Sequence, residues 1–186
     1  MPDDDLTALA YAAARGDRDA VTDLIRRTQR DVLRFLAPLT SPADVEDLAQ
    51  ETYLRAVRAL PSFAGRSSVR TWLLAIARRV AADHVRLATR RPRIAGLPDW
   101  QATAEAAAPH AQPRFDEQHA LTALLTDLAP ERREAFVITQ VAGLSYADAA
   151  EVCGCPIGTI RSRVARARED LIAALHDPDA EGRATA

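Results

Sequence analysis

The sequence predicts an all-α protein made of two small helical domains joined by a flexible linker. The chain is 48% hydrophobic but only 5% aromatic. Small aliphatic residues must therefore fill the core, which favours helices over a sheet. Apolar residues recur at steps of three and four on both sides of an irregular segment, the pattern of amphipathic helices. Gly and Pro also fall where these helices are predicted to begin and end.

The irregular segment covers residues 94–115 and divides the chain. It is rich in Ala and Pro and has no regular apolar period, as is typical of a flexible linker. We therefore predict an N-terminal domain over residues 1–93 and a C-terminal domain over residues 116–175. The polar residues 176–186 are predicted to form a disordered tail. An inert tail is favoured over a protease tag.

The N-terminal domain is predicted to contain several amphipathic helices. The first has an apolar face that runs from residue 21 to residue 39. Ser41 and Pro42 predict the N-cap and first position of the next helix, which carries acidic residues on its outer face. Ser67 or Ser68 is predicted to cap the helix that follows.

The C-terminal domain is predicted to contain four shorter helices, of which the first covers residues 121–128. Pro130 begins the second helix, and Gly143 ends it as a left-handed residue. Ser145 and Asp148 form a capping box for the third helix, which ends at Gly154.

The segment 144–168 has the layout of a DNA-binding helix-turn-helix: a capped helix, a glycine turn and a helix with Arg on its outer side. Ile157, Ile160 and Val164 are predicted to pack on the preceding helix. The residues predicted to contact DNA lie on and beside the opposite face: Gly158, Thr159, Arg161, Ser162, Arg163 and Arg166. The alternative is an ordinary solvated face, but no acidic partner occurs before Glu169, which favours DNA binding.

Composition excludes several classes of protein. The net charge of −2 gives the whole chain no strong attraction to nucleic acid. All 24 basic residues are Arg, for which a GC-rich genome is the simplest cause, and Arg makes planar contacts to phosphate and guanine. No apolar run approaches the length of a membrane span, and the N-terminus is acidic. We expect a cytoplasmic protein that does not insert into membranes.

The two cysteines and four histidines do not predict a catalytic or metal site. Cys153 and Cys155 are too few to hold a metal, and their spacing makes a strained disulfide. Packing is therefore favoured over redox sensing. A phosphate-binding glycine loop and a nucleophile–base pair are both absent from the sequence. We predict that the protein is not an enzyme and needs no cofactor.

Three blocks of sequence resemble the extracytoplasmic-function (group 4) sigma factors of bacterial RNA polymerase. Residues 44–57, DVEDLAQETYLRAV, are similar to the family's polymerase-binding helix. Residues 68–83, SVRTWLLAIARRVAAD, are similar to its promoter-melting helix, and residues 154–163, GCPIGTIRSR, to its −35 recognition helix. The blocks occur in the family's order and lie on either side of the linker.

The resemblance implies a subunit without catalytic activity that binds core RNA polymerase, recognises −35 and −10 promoter elements and melts the latter. The implied partners are the β′ coiled coil and β flap of the polymerase, promoter DNA and an anti-sigma factor, with the active protein on the nucleoid. The residues assigned to polymerase binding lie on the acidic helix and are Asp44, Asp47, Gln50, Glu51 and Arg55.

The resemblance also implies that the loop 61–68 accepts a flipped base of the −10 element. The residues assigned to the −10 element are Phe63, Arg66, Ser67, Ser68, Arg70, Arg79, Asp83, Arg86 and Arg90. For Phe63, a pocket wall and a core position are equally favoured. Arg79 stands where many family members carry Asn, so the family's −10 preference does not transfer directly.

Two other functions compete with this one. A helix-turn-helix regulator could act without joining the polymerase, with its N-terminal domain as a sensor or dimerisation unit. The acidic helix followed by an Arg-rich helix argues against it. An enzyme with an added DNA-binding module is disfavoured because no catalytic signature is present.

Overall fold

The computed structural model describes residues 2–90 and 124–176, with side chains described over 5–88 and 124–176. Every regular element in these ranges is helical, so the all-α prediction is confirmed. The longer helices are α1 (Pro2–Ala14), α2 (Arg18–Leu36), α3 (Val45–Ala59), α4 (Val69–Arg90), α5 (Pro130–Phe136), α6 (Tyr146–Cys153) and α7 (Ile157–His176). The predicted linker and nearly all of the predicted tail lie outside the described residues.

Helix α1 was not predicted as a separate helix. Its sequence, PDDDLTALAYAAA, is rich in Ala, so its apolar and polar faces contrast weakly. It nevertheless buries Leu6, Ala10 and Ala13 and packs on α2 and on the start of α4. The Asp17 carboxylate then caps α2 by accepting the backbone N–H of Asp19 at 2.9 Å.

Two of the predicted N-caps differ in outcome. Ser68 caps α4, because its hydroxyl accepts the backbone N–H of Thr71 at 3.1 Å. The prediction at Ser41 holds only in part: Ser41 and Pro42 begin a 3₁₀ turn, Pro42–Asp44, but the Ser41 side chain makes no cap and α3 begins at Val45. The Asp44 carboxylate instead lies 3.1 Å from the His84 ring in α4, so a tertiary contact occupies it.

The C-terminal domain follows its predicted helix boundaries closely. The Ser145 hydroxyl caps α6 through the Asp148 backbone N–H at 3.1 Å, and Gly154 ends it with a φ of +63°. A π-helical turn, Val137–Val141, prolongs α5. The expectation of shorter helices is wrong for α7, which has 20 residues. Of the predicted first helix, residues 124–126 are helical and 121–123 lie outside the described part.

A single cluster of buried apolar residues runs through both domains, and the sequence did not predict this docking. Helix α4 packs against α2 and α3 on one side and against α6 on another. The cluster includes Val32, Phe35, Leu36, Leu73, Leu74, Ala77, Leu125, Ile138, Ala149, Val152 and Ile160. Burial of apolar surface therefore holds the two domains together as well as each domain separately.

Polar contacts surround this shared core. They join Arg34 to the Val141 carbonyl at 3.0 Å, Arg70 to the Ala142 carbonyl at 3.0 Å, Thr71 to Asp148 at 3.3 Å and Arg78 to Glu134 at 2.6 Å. All four N-terminal partners lie on α2 or α4. Most of these polar contacts between the domains are therefore made by α4.

The pair of Arg78 and Glu134 is the most enclosed ion pair among the described residues, with side chains 30% and 17% exposed. Burial lowers the pKa of Arg78, but the hydrogen bond to Glu134 and the charge of Glu134 outweigh this effect. The pKa of Arg78 is therefore raised overall. The Cys153 thiol donates to the same Glu134 carboxylate at 3.8 Å. Burial raises the pKa of Cys153 to about 12, and the Glu134 charge adds to this effect.

We expect Gly154→Ala to lower the free energy of unfolding by about 1–2 kcal/mol, because its left-handed conformation disfavours a Cβ. Gly158→Ala is the matched control: it lies within α7, and a Cβ there would meet nothing within 4 Å. It should raise stability by up to about 1 kcal/mol. Thermal and urea unfolding measure both changes, and equal effects of the two variants would contradict this account.

Breaking the pair of Arg78 and Glu134 should loosen the docking by about 1–3 kcal/mol, because Glu134 is left buried without its partner. The measurement is the reaction rate of Cys153 with a thiol reagent, in a Cys155→Ser background. Arg78→Gln should speed the reaction by about 5- to 100-fold.

Whether the reaction of Cys153 becomes faster or slower distinguishes opening of the domain interface from a local electrostatic effect. Arg78 lowers the pKa of Cys153, so removing its charge without opening the domains would slow the reaction. Arg79→Gln is the control, since Arg79 is the exposed neighbour on α4. A slower or unchanged rate in Arg78→Gln would refute the role given to this ion pair.

Candidate nucleic-acid interface

Helix α7 presents the predicted DNA-contacting face to solvent. Ile160, Val164 and Ala167 are buried on its inner side. Of the predicted contacts, Gly158, Arg161, Ser162 and Arg166 are exposed, while Thr159 and Arg163 are half-buried. Ile157 was expected to pack inward, but it begins the helix and is 39% exposed. The periodicity therefore separates the two faces correctly beyond the first turn.

Local contacts distinguish the arginines along α7. Arg161 and Arg166 point into solvent, whereas Arg163 lies 4.0 Å from the Cys155 sulfur. Towards the end of the helix, Arg168 donates to the Gln140 side chain at 2.9 Å. The N-terminal half of α7 is therefore the part whose cations are available to an anionic ligand.

The loop before α4 is built on a stack of aromatic rings. Phe63 is 7% exposed, and its ring centroid lies 5.7 Å from that of Tyr11 and 5.2 Å from that of Trp72. The core position that the sequence left open for Phe63 is the one observed. Gly65 turns the loop with a φ of +64°. Arg66 is exposed just after this turn, and Ser67 and Ser68 are half-buried.

The cations predicted along α4 are in different environments. Arg70 donates to Asp31 at 2.8 Å and to the Ala142 carbonyl, so both domains hold it. Arg79 is exposed. Arg86 donates to Asp83 at 3.3 Å. Arg90 is the last residue of α4, and its side chain lies outside the described residues.

Ion pairs connect the predicted polymerase face on α3 to α4. Arg55 donates to Glu51 at 2.7 Å and to Asp83 at 2.8 Å. The hydrogen bond from Arg55 lowers the pKa of Asp83. Asp47 and Gln50 remain exposed. The structure thus joins Arg55 and Asp83, which the sequence assigned to different partners, in one network.

A groove of about 660 Å³ lies between α2 and α3 next to this face. Leu54 and Val57 line it and are 54% and 41% exposed. Gln50 and Glu46 also line it. Leu54 and Val57 were not among the residues predicted from the sequence. The available signal was that both are apolar yet lie outside the stripe formed by Leu48, Thr52 and Ala56 on the same helix.

Other kinds of site are absent from the part of the chain that the structure describes. Groups of three or more His, Cys, Asp or Glu that could hold a metal ion are not found among residues 2–90 and 124–176. Within the same ranges, every helix is too short or too polar to span a membrane.

Both domains match known protein families. Residues 24–91 match the family described as Sigma-70 region 2, and residues 118–171 match the family described as Sigma-70, region 4. An ECF RNA polymerase sigma factor, SigC of Mycobacterium tuberculosis, is 49% identical over 97% of this chain and 96% of the relative. The RNA polymerase sigma-H factor of Pseudomonas aeruginosa is 36% identical over 90% of this chain and 92% of the relative.

Solved structures give the same result. The fold is similar to that of CnrH in complex with the cytosolic domain of CnrY, with a TM-score of 0.73, 25% identity and coverage of 92% of this chain and 97% of that one. It is also similar to the sigma factor RpoE of Bartonella quintana in complex with the anti-sigma factor NepR, with a TM-score of 0.64, 30% identity and coverage of 84% and 98%. The chain therefore belongs to the extracytoplasmic-function sigma factors of RNA polymerase.

Proposed function

We propose that this sigma factor divides promoter recognition between its two domains. Helix α7 binds the −35 element as duplex, and the loop 61–68 with α4 holds the opened −10 strand. The observation that carries the proposal is the two-sided character of α7. Its inner residues are fully buried, while Arg161, Ser162 and Arg166 are exposed on one outer face. A helix of this kind fits the major groove.

The exposed arginines suit direct reading of bases. A guanidinium group donates two parallel hydrogen bonds to guanine or to a phosphate. Arg161 and Arg166 lie five residues apart on α7 and lack an acidic partner among the described residues. Gly158 and Thr159 in the first turn let the DNA backbone approach closely. The half-buried Arg163 would need to leave Cys155 to reach a phosphate.

Binding of the −10 strand competes with domain docking. Phosphates of the single strand need free guanidinium groups on α4. In the docked protein, Arg70 is bound by Asp31 and the Ala142 carbonyl, and Arg78 is bound by Glu134. Asp148 also reaches Thr71 in the first turn of α4. Separation of the domains would free Arg78 and the Ala142 contact of Arg70, and would add these groups to Arg66 and Arg79, which are already exposed.

The α3 face and its groove are assigned to core RNA polymerase. Asp47 is an exposed carboxylate on α3, and Leu54 and Val57 add exposed apolar surface beside it. This combination fits the basic β′ coiled coil of the polymerase, because charge steers the partner and apolar contact stabilises the complex. The C-terminal domain is assigned to the β flap.

The proposal includes an anti-sigma factor. The solved relatives CnrH and the Bartonella quintana sigma factor are each bound to another protein, in the latter case an anti-sigma factor.

A regulator that never joins the polymerase is not favoured, since both region 2 and region 4 match. The protein is proposed to have no catalytic activity of its own and to act on the nucleoid when active.

Purified protein added to core polymerase should give run-off transcripts from a promoter of the source organism. Core polymerase alone is the control and should give none from the same template. Association is measured separately by gel filtration. If the protein bound promoter duplex tightly but never migrated with core polymerase, the independent regulator would be the better function.

Replacing Arg161, Arg163 and Arg166 together by Ala should reduce −35-dependent initiation by at least about 100-fold. Each lost base or phosphate contact is worth about 1–3 kcal/mol. Binding to core polymerase should remain, because all three residues lie on α7, away from the groove of α2 and α3.

The matched control replaces three exposed arginines of the N-terminal domain, Arg15, Arg18 and Arg26, by Ala. It removes the same charge and should keep initiation within about threefold of the wild type, because the loss of non-specific attraction is small. An equal loss in both triple variants would mean that α7 contributes charge rather than recognition.

A further inference from the structure

We propose that Tyr11 of α1 is the aromatic surface on which an unpaired base of the −10 strand stacks. This inference rests on the proposed function of the loop 61–68 and adds a residue from a different part of the chain. Tyr11 lies outside the residues matched by the region 2 family. It was not a candidate from the sequence.

Three aromatic rings form a stack at the base of the loop, and Tyr11 is its outermost member. Phe63 lies in the middle, with its centroid 5.7 Å from Tyr11 and 5.2 Å from Trp72. Phe63 is 7% exposed and Trp72 is half-buried in the core. Tyr11 is 40% exposed. Of the three rings, it therefore has the most surface available to a base.

Gly65 leaves the space that the Tyr11 ring occupies over the loop. A Cβ atom on Gly65 would collide with the Tyr11 hydroxyl and lie 3.4 Å from its Cζ atom. The φ of Gly65 is +64°, which glycine adopts without strain. The ring thus lies against the turn of the loop, at the place where a flipped base would have to enter.

Helix α1, which carries Tyr11, is packed on the rest of the domain. The preceding residue, Ala10, is fully buried, and Leu6 and Ala13 on the same helix are buried in one cluster with Phe63. Asp5 also pairs with Arg27 of α2 at 3.3 Å. A side chain fixed on a packed helix loses little conformational entropy when it binds a ligand.

The surroundings of Tyr11 suit an unpaired nucleotide. Exposed Arg66 follows Gly65 and offers a cation to the phosphate beside the stacked base. Stacking on an aromatic ring accepts any base, because every base has a π face. The predicted occupant is therefore one flipped base of the non-template strand, with sequence preference supplied by other residues of the loop.

The test uses full-length Tyr11→Ala, Tyr11→Leu and Tyr11→Phe, each assembled with core polymerase. The probe is a promoter fragment that the wild-type holoenzyme transcribes, with a mismatched bubble at its −10 element. Affinity is measured by fluorescence anisotropy, and permanganate reactivity of thymines reports opening on the matched duplex. Ala and Leu should weaken binding to the bubble by about 5- to 100-fold, and Phe by less than about threefold.

Leu9→Ala is the control for packing, since Leu9 is half-buried in the same cluster of α1. It should destabilise the domain in thermal unfolding yet bind the bubble like the wild type. Wild-type affinity in Tyr11→Leu, or an equal loss in Leu9→Ala, would assign Tyr11 to packing alone and overturn the proposal.

Failure of the proposed function gives a different result. In that case the wild type would not associate with core polymerase or produce a run-off transcript, and both proposals would fall together. If the wild type is active and Tyr11→Ala binds the bubble normally, only the role of Tyr11 is overturned.

Discussion

The position of α4 between two sets of helices is the constraint on which the rest of the structure depends. Its apolar residues pack on α2 and α3, and its other side packs on α6 of the helix-turn-helix. Amphipathic surface helices bury one stripe and leave the other face to water. Helix α4 instead uses its cations, Arg70 and Arg78, to contact the second domain. The part of its polar face around Arg70 and Arg78 is therefore an internal boundary.

The polar contacts that surround the shared apolar core are interactions that another ligand can replace. Phosphate oxygens can accept the hydrogen bonds that Arg70 now donates to the Ala142 carbonyl and Arg78 to Glu134. A purely apolar interface would leave nothing for a nucleic acid to substitute. Burial raises the pKa of Cys153 to about 12 and so favours its neutral thiol. This environment is the one expected for the packing role predicted from the sequence.

Short-range sequence patterns predicted most helix ends, whereas the docking of the domains depends on contacts between distant residues. The caps at Ser145 and Gly154 depend on residues within a few positions, so the sequence identified them. Ser41 and Asp44 have the same spacing as Ser145 and Asp148. The Asp44 carboxylate contacts His84, however, and Ser41 makes no side-chain cap. The docking of the domains rests on pairs such as Arg78 and Glu134, which are 56 positions apart. Periodicity within one helix carries no information about such pairs.

The two faces proposed to bind DNA differ in exposure, and under that proposal the difference sets the order in which they bind. The N-terminal half of α7 is open to solvent in the docked protein, whereas Arg70 and Arg78 of α4 are occupied. Under the proposed assignment, duplex contact at the −35 element does not require the domains to part, whereas freeing Arg78 for the opened −10 strand does. The groove beside Leu54 lies on α2 and α3, away from the docked domain. If polymerase binds this groove as proposed, it can bind first and then favour separation, since a ligand that prefers the open form shifts the equilibrium towards it.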